Sequence, residues 1–192
     1  LPYGEEFQEA LLYAARLHRH QKRKGTDTLY GNHLLAVTAI VAESGGTENE
    51  VLAALLHDAP EDQGGKERLE DIRTRCGEMV AEIVDGGTDT YEEPKPAWRP
   101  RKEAYIERIS SQPASVQLVS AADKLHNARA ILSDLRDIGE DLWDRFTGGK
   151  EGTLWYYRAL VGAYTADKAS LVVEELNRVV REIEALANHT AS

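Results

Sequence analysis

Apolar residues along this chain recur three and four positions apart, the spacing that lays a stripe down one side of a helix. Phe7, Leu11, Ala14, Ala15 and His18 follow it and predict a first helix reaching a turn near residues 23–25. Leu35, Ala39 and Ala42 predict one face of a second helix, widened by Val37, Ile40 and Val41 and stopped by Gly45-Gly46. Val51, Leu52, Leu55 and Leu56 mark a third. Pro60 has no N–H for the Leu56 carbonyl and disfavours helical backbone at Ala59, so this helix is expected to end or kink there. Glu61 and Asp62 are then expected on a turn rather than on an ideal helical face.

Beyond Gly64-Gly65 the pattern predicts a fourth helix over residues 66–75 and a short fifth through Met79, Ile83 and Val84, closed by Gly86-Gly87. Residues 88–100 hold three prolines and no apolar period, and read as a surface loop. Residues 101–111 are helical by pattern. Pro113 is placed in the early turn of a longer helix carrying Val116, Val119, Ala122, Asp123, His126 and Ile131. Another helix includes Trp155-Tyr156-Tyr157, and a last one runs from 167 to about 187. No strand, repeat or low-complexity tract stands out, and residues 1–192 are expected to form one all-α domain.

Composition narrows the classes. The chain is 42% hydrophobic and 29% charged, the balance of a globular protein. No apolar run approaches the ~20 residues of a membrane span, and no signal-peptide pattern opens the chain. The single cysteine, Cys76, excludes an internal disulfide framework; it fits a reducing cytoplasm and reads as a buried structural thiol. A net charge of -10 argues against broad nucleic-acid binding. A small anionic ligand is still compatible, because a local cation outweighs net charge. Residues 18–24 and 99–102 are the basic clusters, and their plainer reading is a solvated face.

The chemistry concentrates at His57-Asp58-Ala59-Pro60-Glu61-Asp62. An adjacent imidazole and carboxylate suit a divalent ion such as Mn²⁺, Fe²⁺ or Zn²⁺. Two further carboxylates within four residues are close enough to orient an attacking water. His33 and Asp123 complete a two-imidazole, two-carboxylate set drawn from three separated segments. A lone histidine at a helix edge is more often a satisfied polar residue, and Asp123 alone can be a solvated one. Asp123, however, follows Leu118, Val119, Ala121 and Ala122, where an unpaired carboxylate is costly. Asn127 lies one turn on, placed to touch a ligand oxygen. His126 is expected to point roughly 100° from Asp123 and is the weaker metal candidate. His18, His20 and His189 are not assigned to the metal.

These residues resemble the HD-domain metal-dependent phosphohydrolases. The wider text is similar to the hydrolase domain of Rel/SpoT-type alarmone enzymes, especially stand-alone small alarmone hydrolases: Gln21-Lys22-Arg23-Lys24-Gly25-Thr26, Tyr30-Gly31-Asn32-His33, Ala53-Ala54-Leu55-Leu56-His57-Asp58, Glu61-Asp62 and Asp123-Lys124-Leu125-His126-Asn127. Leu29, Leu34 and Ala59-Pro60 depart from the family's usual text and spare the candidate ligands. The resemblance implies an all-α HD fold, Mn²⁺, and hydrolysis of the 3′-pyrophosphate of guanosine 3′,5′-bis(diphosphate) or its pentaphosphate relative. It implies metal binding by His33, His57, Asp58 and Asp123, and water activation by Glu61 and Asp62. Arg23 would stack on guanine, with Lys24 near the nucleotide, Asn127 at the sugar or phosphate, and Tyr156 at the ribose or base. Lys102 or Arg101 would meet the distal pyrophosphate. A chain of 192 residues has no room for a second, synthetic domain, so degradation without synthesis is expected. Two other readings stay open: an HD phosphohydrolase acting on another nucleotide or on NADPH, and a non-catalytic nucleotide sensor.

Overall fold

Two helices are buried around most of their circumference, and they carry three of the four candidate metal ligands between them or at their ends. In the computed structural model, which describes residues 4–189, these are α3 (Glu48–Leu56) and α8 (Ala114–Ile138). Residues 50–56 of α3 and 116–123 of α8 are buried without a break. A helix with no solvent face belongs inside a protein, and the other helices wrap this pair.

α1 (Glu5–Leu17), α2 (Gly31–Glu43) and α6 (Glu78–Gly87) pack on α3, and both α2 and α6 also reach α8. α5 (Gly65–Cys76) rests on α6 and on the single turn α4 (Ala59–Asp62). α7 (Trp98–Ser110) packs on α9 (Gly149–Ala163), and α10 (Ser170–His189) lies along α8. Short 3₁₀ turns at Gly139–Arg145 and Asp167–Ala169 join the last helices. The all-α expectation holds; among the described residues the extended pairing is one isolated antiparallel bridge, Lys22 to Leu29. No helix of the described residues is long and apolar enough to cross a membrane.

Several boundaries differ from the pattern's expectation. α1 stops at Leu17, and residues 18–29 form a turn and the bridge instead of more helix. The buried face of α2 is Leu34, Val37, Thr38 and Val41, while Leu35 and Ala39 are exposed; the helix is apolar on nearly all sides, so spacing alone does not choose the face. α3 does end before Pro60, but that proline opens α4 instead of leaving an irregular turn. In a first helical turn the N–H groups have no intrahelical partner, so proline costs nothing there. Glu61 and Asp62 thus sit on a helical turn. α7 absorbs Trp98 to start the helix inside the expected loop, and Pro113 caps α8 from just outside it. Cys76 is half-buried, and burial raises its thiol pKa, as an inert structural thiol requires.

Candidate metal and nucleotide site

The three separated segments converge. His33 on α2, His57 and Asp58 between α3 and α4, and Asp123 on α8 each offer one ligand atom, and these atoms lie within 4.8 Å of one another. His57 Nε2 stands 2.9 Å from Asp58 Oδ2 and 3.7 Å from Asp123 Oδ1. His33 Nε2 is 3.2 Å from Asp123 Oδ1 and 3.5 Å from Asp58 Oδ2.

The second nitrogen of each imidazole is fixed. His57 Nδ1 donates to the Ala54 carbonyl at 2.8 Å, which turns Nε2 toward Asp58 and Asp123. Burial works against a charge on His57, but the two carboxylates outweigh it and hold its pKa well above the usual range; a bound cation would take the place of that proton. His33 Nδ1 lies 2.7 Å from His126 Nδ1. Arg23 Nη1, which can only donate, reaches the same His126 Nδ1 at 3.3 Å, so that nitrogen is an acceptor and takes the His33 N–H as well. Burial, with nearby cationic charge, pulls His126 down to about 4. His126 therefore supports a candidate ligand. Three residues of helix advance about 300°, which leaves it only about 60° from Asp123 and corrects the expected separation.

The carboxylates are held as anions. Burial works against ionised Asp58, but His57 and His33 outweigh it and keep the carboxyl well below the usual range. Asp123 behaves likewise, with Lys124 the main counterweight to burial; Lys124 Nζ donates to Asp123 Oδ2 at 2.5 Å. Asn127 Nδ2 donates to Asp123 Oδ1 at 2.5 Å and its Oδ1 accepts from Arg23 at 2.8 Å. The Tyr30 hydroxyl donates to Asp58 Oδ2 at 2.5 Å. Two imidazoles, each turning Nε2 toward the same two ionised carboxylates, form a donor set that fits a divalent cation.

Glu61 and Asp62 part company. Glu61 lines a cavity of about 150 Å³ with His57, Asp58 and Asp123, and accepts a hydrogen bond from Lys95 Nζ at 2.7 Å. Asp62 is not among the residues lining that cavity. It accepts from Gln21 Nε2 at 2.7 Å, and Gln21 Oε1 in turn accepts from buried His18 at 2.7 Å. Burial pushes the Asp62 carboxyl up, and the nearby Asp58 charge adds to this.

A larger cavity of about 550 Å³ shares Tyr30, Lys102, Lys124, Asn127 and Tyr156 with the smaller one. Arg23, Lys24 and His33 also line it, so the expected nucleotide contacts are gathered in one place. Lys102 Nζ donates to Asp89 at 2.7 Å and lies 4.9 Å from the Tyr156 ring centre. Burial, with the charges of Lys124 and Arg101, pulls Lys102 down to about 7. The Tyr156 hydroxyl is buried and has no partner among the described residues. The rest of the 99–102 cluster is engaged elsewhere: Arg101 pairs with Asp89, and Arg99 stacks 3.3 Å from the Trp155 ring centre. Lys124, Tyr30, Asp89 and Lys95 were not singled out from the sequence. The first two adjoin candidate residues in the chain or precede His33 by one helical turn; the last two lie in a stretch with no period. The side chain of His189 lies outside the described residues.

The chain is similar to known proteins. A family model described as an HD domain matches residues 10–153. A Homo sapiens relative named guanosine-3′,5′-bis(diphosphate) 3′-pyrophosphohydrolase MESH1 is 39% identical over 124 residues, covering 63% of this chain and 66% of that protein. A Streptomyces coelicolor relative named GTP pyrophosphokinase is 37% identical over 128 residues, and there the chain spans only 15% of the relative's length. A solved structure described as "A metazoan ortholog of SpoT hydrolyzes ppGpp and plays a role in starvation responses" superposes with a TM-score of 0.71 at 27% identity, covering 91% of this chain and 95% of that one. With the matched segment running through all four candidate ligands, the chain belongs to the HD-domain family.

Proposed function

We propose that this protein is a divalent-cation-dependent hydrolase that removes the 3′-pyrophosphate from guanosine 3′,5′-bis(diphosphate), or its pentaphosphate relative, giving GDP or GTP. The observation that carries the reading is the four-donor cluster beside a basic cavity large enough for a nucleotide. The printed names of the similar proteins support the substrate. Mn²⁺ is the proposed cation, held by His33, His57, Asp58 and Asp123. Such a cation lowers the pKa of water and withdraws charge from a phosphoryl oxygen.

The residues of the chain supply the rest. Water attacks the phosphorus attached to the 3′-oxygen; a new P–O bond forms as the bond to the 3′-oxygen breaks. Glu61 takes the water proton, and the departing 3′-oxygen gains one from solvent. Asp62, bonded to Gln21, positions the helical turn that carries Glu61 and through it orients the attacking water. Lys102 and Lys124 meet phosphate charge as it redistributes. Arg23 and Lys24 hold the nucleoside side, Asn127 sets Arg23 and Asp123 against the sugar, and the Tyr156 hydroxyl finds its partner on the substrate. A reducing cytoplasm and a free guanine nucleotide, without nucleic acid, complete the reading.

The test is incubation of chelator-stripped protein with guanosine 3′,5′-bis(diphosphate), with and without Mn²⁺, and identification of the products. GDP and pyrophosphate in the Mn²⁺ arm alone are expected. Orthophosphate release, or no turnover, would overturn the assignment.

A further inference from the structure

Asp134 is the one acid among the residues that line the larger cavity, whose basic residues include Arg23, Lys24, Lys102, Lys124 and Arg145. A carboxylate there opposes phosphate binding, so its place calls for another partner. On α8, Asp123, Asn127, Ile131 and Asp134 follow at spacings of four, four and three, which puts them along one face. Asp134 is eleven residues beyond Asp123, roughly 16 Å along the helix axis. It therefore marks the end of the cavity away from the metal cluster. The wall around it is apolar: Ala130, Ile131, Leu142 and Phe146. An apolar slot with one carboxylate at its edge suits a flat base better than a phosphate.

Arg145 fixes that carboxylate. Its Nη1 donates to Asp134 Oδ2 at 2.8 Å, which leaves Oδ1 for a ligand. The Arg145 stem crosses the 23–26 turn at Gly25, where an added Cβ would stand 2.7 Å from Arg145 Cδ and φ is +73°. Only glycine takes that backbone while admitting the arginine. The pair is partly exposed, at 26% and 37%, and such pairs add little stability.

Resting on the nucleotide reading above, we infer that Asp134, held by Arg145, reads the edge of the bound base and selects guanine. Guanine offers its N1–H and 2-amino group as adjacent donors to a carboxylate. Adenine presents an acceptor nitrogen at the same edge, and hypoxanthine lacks the 2-amino donor. Arg23 covers the face of the base while Asp134 meets its edge.

The test is calorimetric binding of GDP and IDP to the Mn²⁺-loaded protein and to Asp134→Ala, which needs no turnover. Wild type is expected to favour GDP by about 10- to 100-fold, the worth of a hydrogen bond to a charged group. Asp134→Ala is expected to bring the ratio close to one while Mn²⁺ uptake stays unchanged, which shows that the variant is folded. A ratio near one in wild type, a ratio retained in Asp134→Ala, or no GDP binding would overturn the inference. If the ratio collapses as expected but no pyrophosphate is released from guanosine 3′,5′-bis(diphosphate), the inference stands and the hydrolase reading falls. If hydrolysis occurs and the ratio ignores Asp134, the reverse holds.

Discussion

Lys95 Nζ lies 2.7 Å from Glu61 Oε1, joining the extended segment after α6 to the short helix that carries the proposed proton acceptor. The two residues are 34 positions apart, and neither belongs to the metal cluster. Burial opposes the charge on Lys95, but the Glu61 carboxylate outweighs it and raises the lysine pKa. The pair is partly exposed, so its contribution to stability is small. Its consequence is positional: the carboxylate is held at one rotamer beside His57 and Asp58 instead of swinging into solvent.

Lys95→Met should therefore lower kcat by roughly 5- to 20-fold with little change in KM, because a misplaced base is felt in the chemical step. The melting temperature should barely move. Lys95→Arg, which keeps the donor, should recover most of the rate. Steady-state kinetics on the three proteins decides the matter; a kcat for Lys95→Met equal to wild type would show that Glu61 needs no tether.

His126 lies against His33 at 2.7 Å and accepts its N–H, the arrangement in which an outer partner orients a metal ligand. His126→Ala should weaken Mn²⁺ binding by about 10- to 100-fold without removing a ligand. The pH dependence has a definite sign. The unfolded chain takes up this proton near 6.5, and the folded protein only near 4. The unfolded state thus binds more protons in that window, so the stability this group contributes is complete above 6.5 and is lost as pH falls toward 4. Competition with a fluorescent chelator at neutral pH measures the first effect, and an unchanged Kd would contradict it. Urea melts between pH 4 and 7 measure the second.

Lys102 gives a trend in the neutral range. Held down to about 7 by burial and by Lys124 and Arg101, it is charged below that pH and neutral above it. Between 7 and its ordinary 10.5 the unfolded chain binds the extra proton, so the group's contribution to apo stability rises with pH. A phosphate ligand prefers the charged form, so nucleotide affinity should move the other way and fall above about pH 7, by at most tenfold per unit. Binding of guanosine 3′,5′-bis(diphosphate) to the metal-free protein from pH 6 to 9 should show that slope in wild type, and Lys102→Met should flatten it. Parallel slopes in the two proteins would assign the trend to another group.

The convergence of His33, His57, Asp58 and Asp123 was legible in the sequence because these residues carry their own chemical argument. His57 and Asp58 adjoin, and Asp123 interrupts a run that is otherwise apolar, where a lone carboxylate has no cheap explanation. The helices were legible from spacing, except where apolarity surrounds the helix, as in α2, or where a proline begins an element as readily as it ends one, as at Pro60. The split between Glu61 and Asp62 was not legible. Neighbours on one helical turn point about 100° apart, and which of them faces the cavity depends on where Gln21 and Lys95 arrive from elsewhere in the chain. The same holds for Asp134 and Arg145, whose pairing is set by the 3₁₀ turn that swings Arg145 back over Gly25.

Glu50 extends that lesson to stability. In sequence it is one of two acids opening α3, where carboxylates favour the helix dipole from solvent. In the structure it is 1% exposed. It accepts the Thr47 N–H at 2.6 Å, closing the N-terminus, and Lys168 Nζ reaches it at 2.6 and 2.7 Å. Burial alone would raise its pKa, but Lys168 and the cap outweigh burial and lower it. A lowered carboxyl contributes stability above its ordinary 4.5 and loses it as pH falls through the folded value. Lys168→Met leaves a buried carboxylate with only the cap and the Ser115 hydroxyl and should cost about 2–4 kcal/mol at pH 7, toward the lower end because the lysine is partly exposed. The deficit should shrink at pH 4, where Glu50 without its cation takes up a proton in the folded state. Urea unfolding at the two pH values tests both parts. A loss under about 0.5 kcal/mol at pH 7 would mean that the pair is only a surface contact.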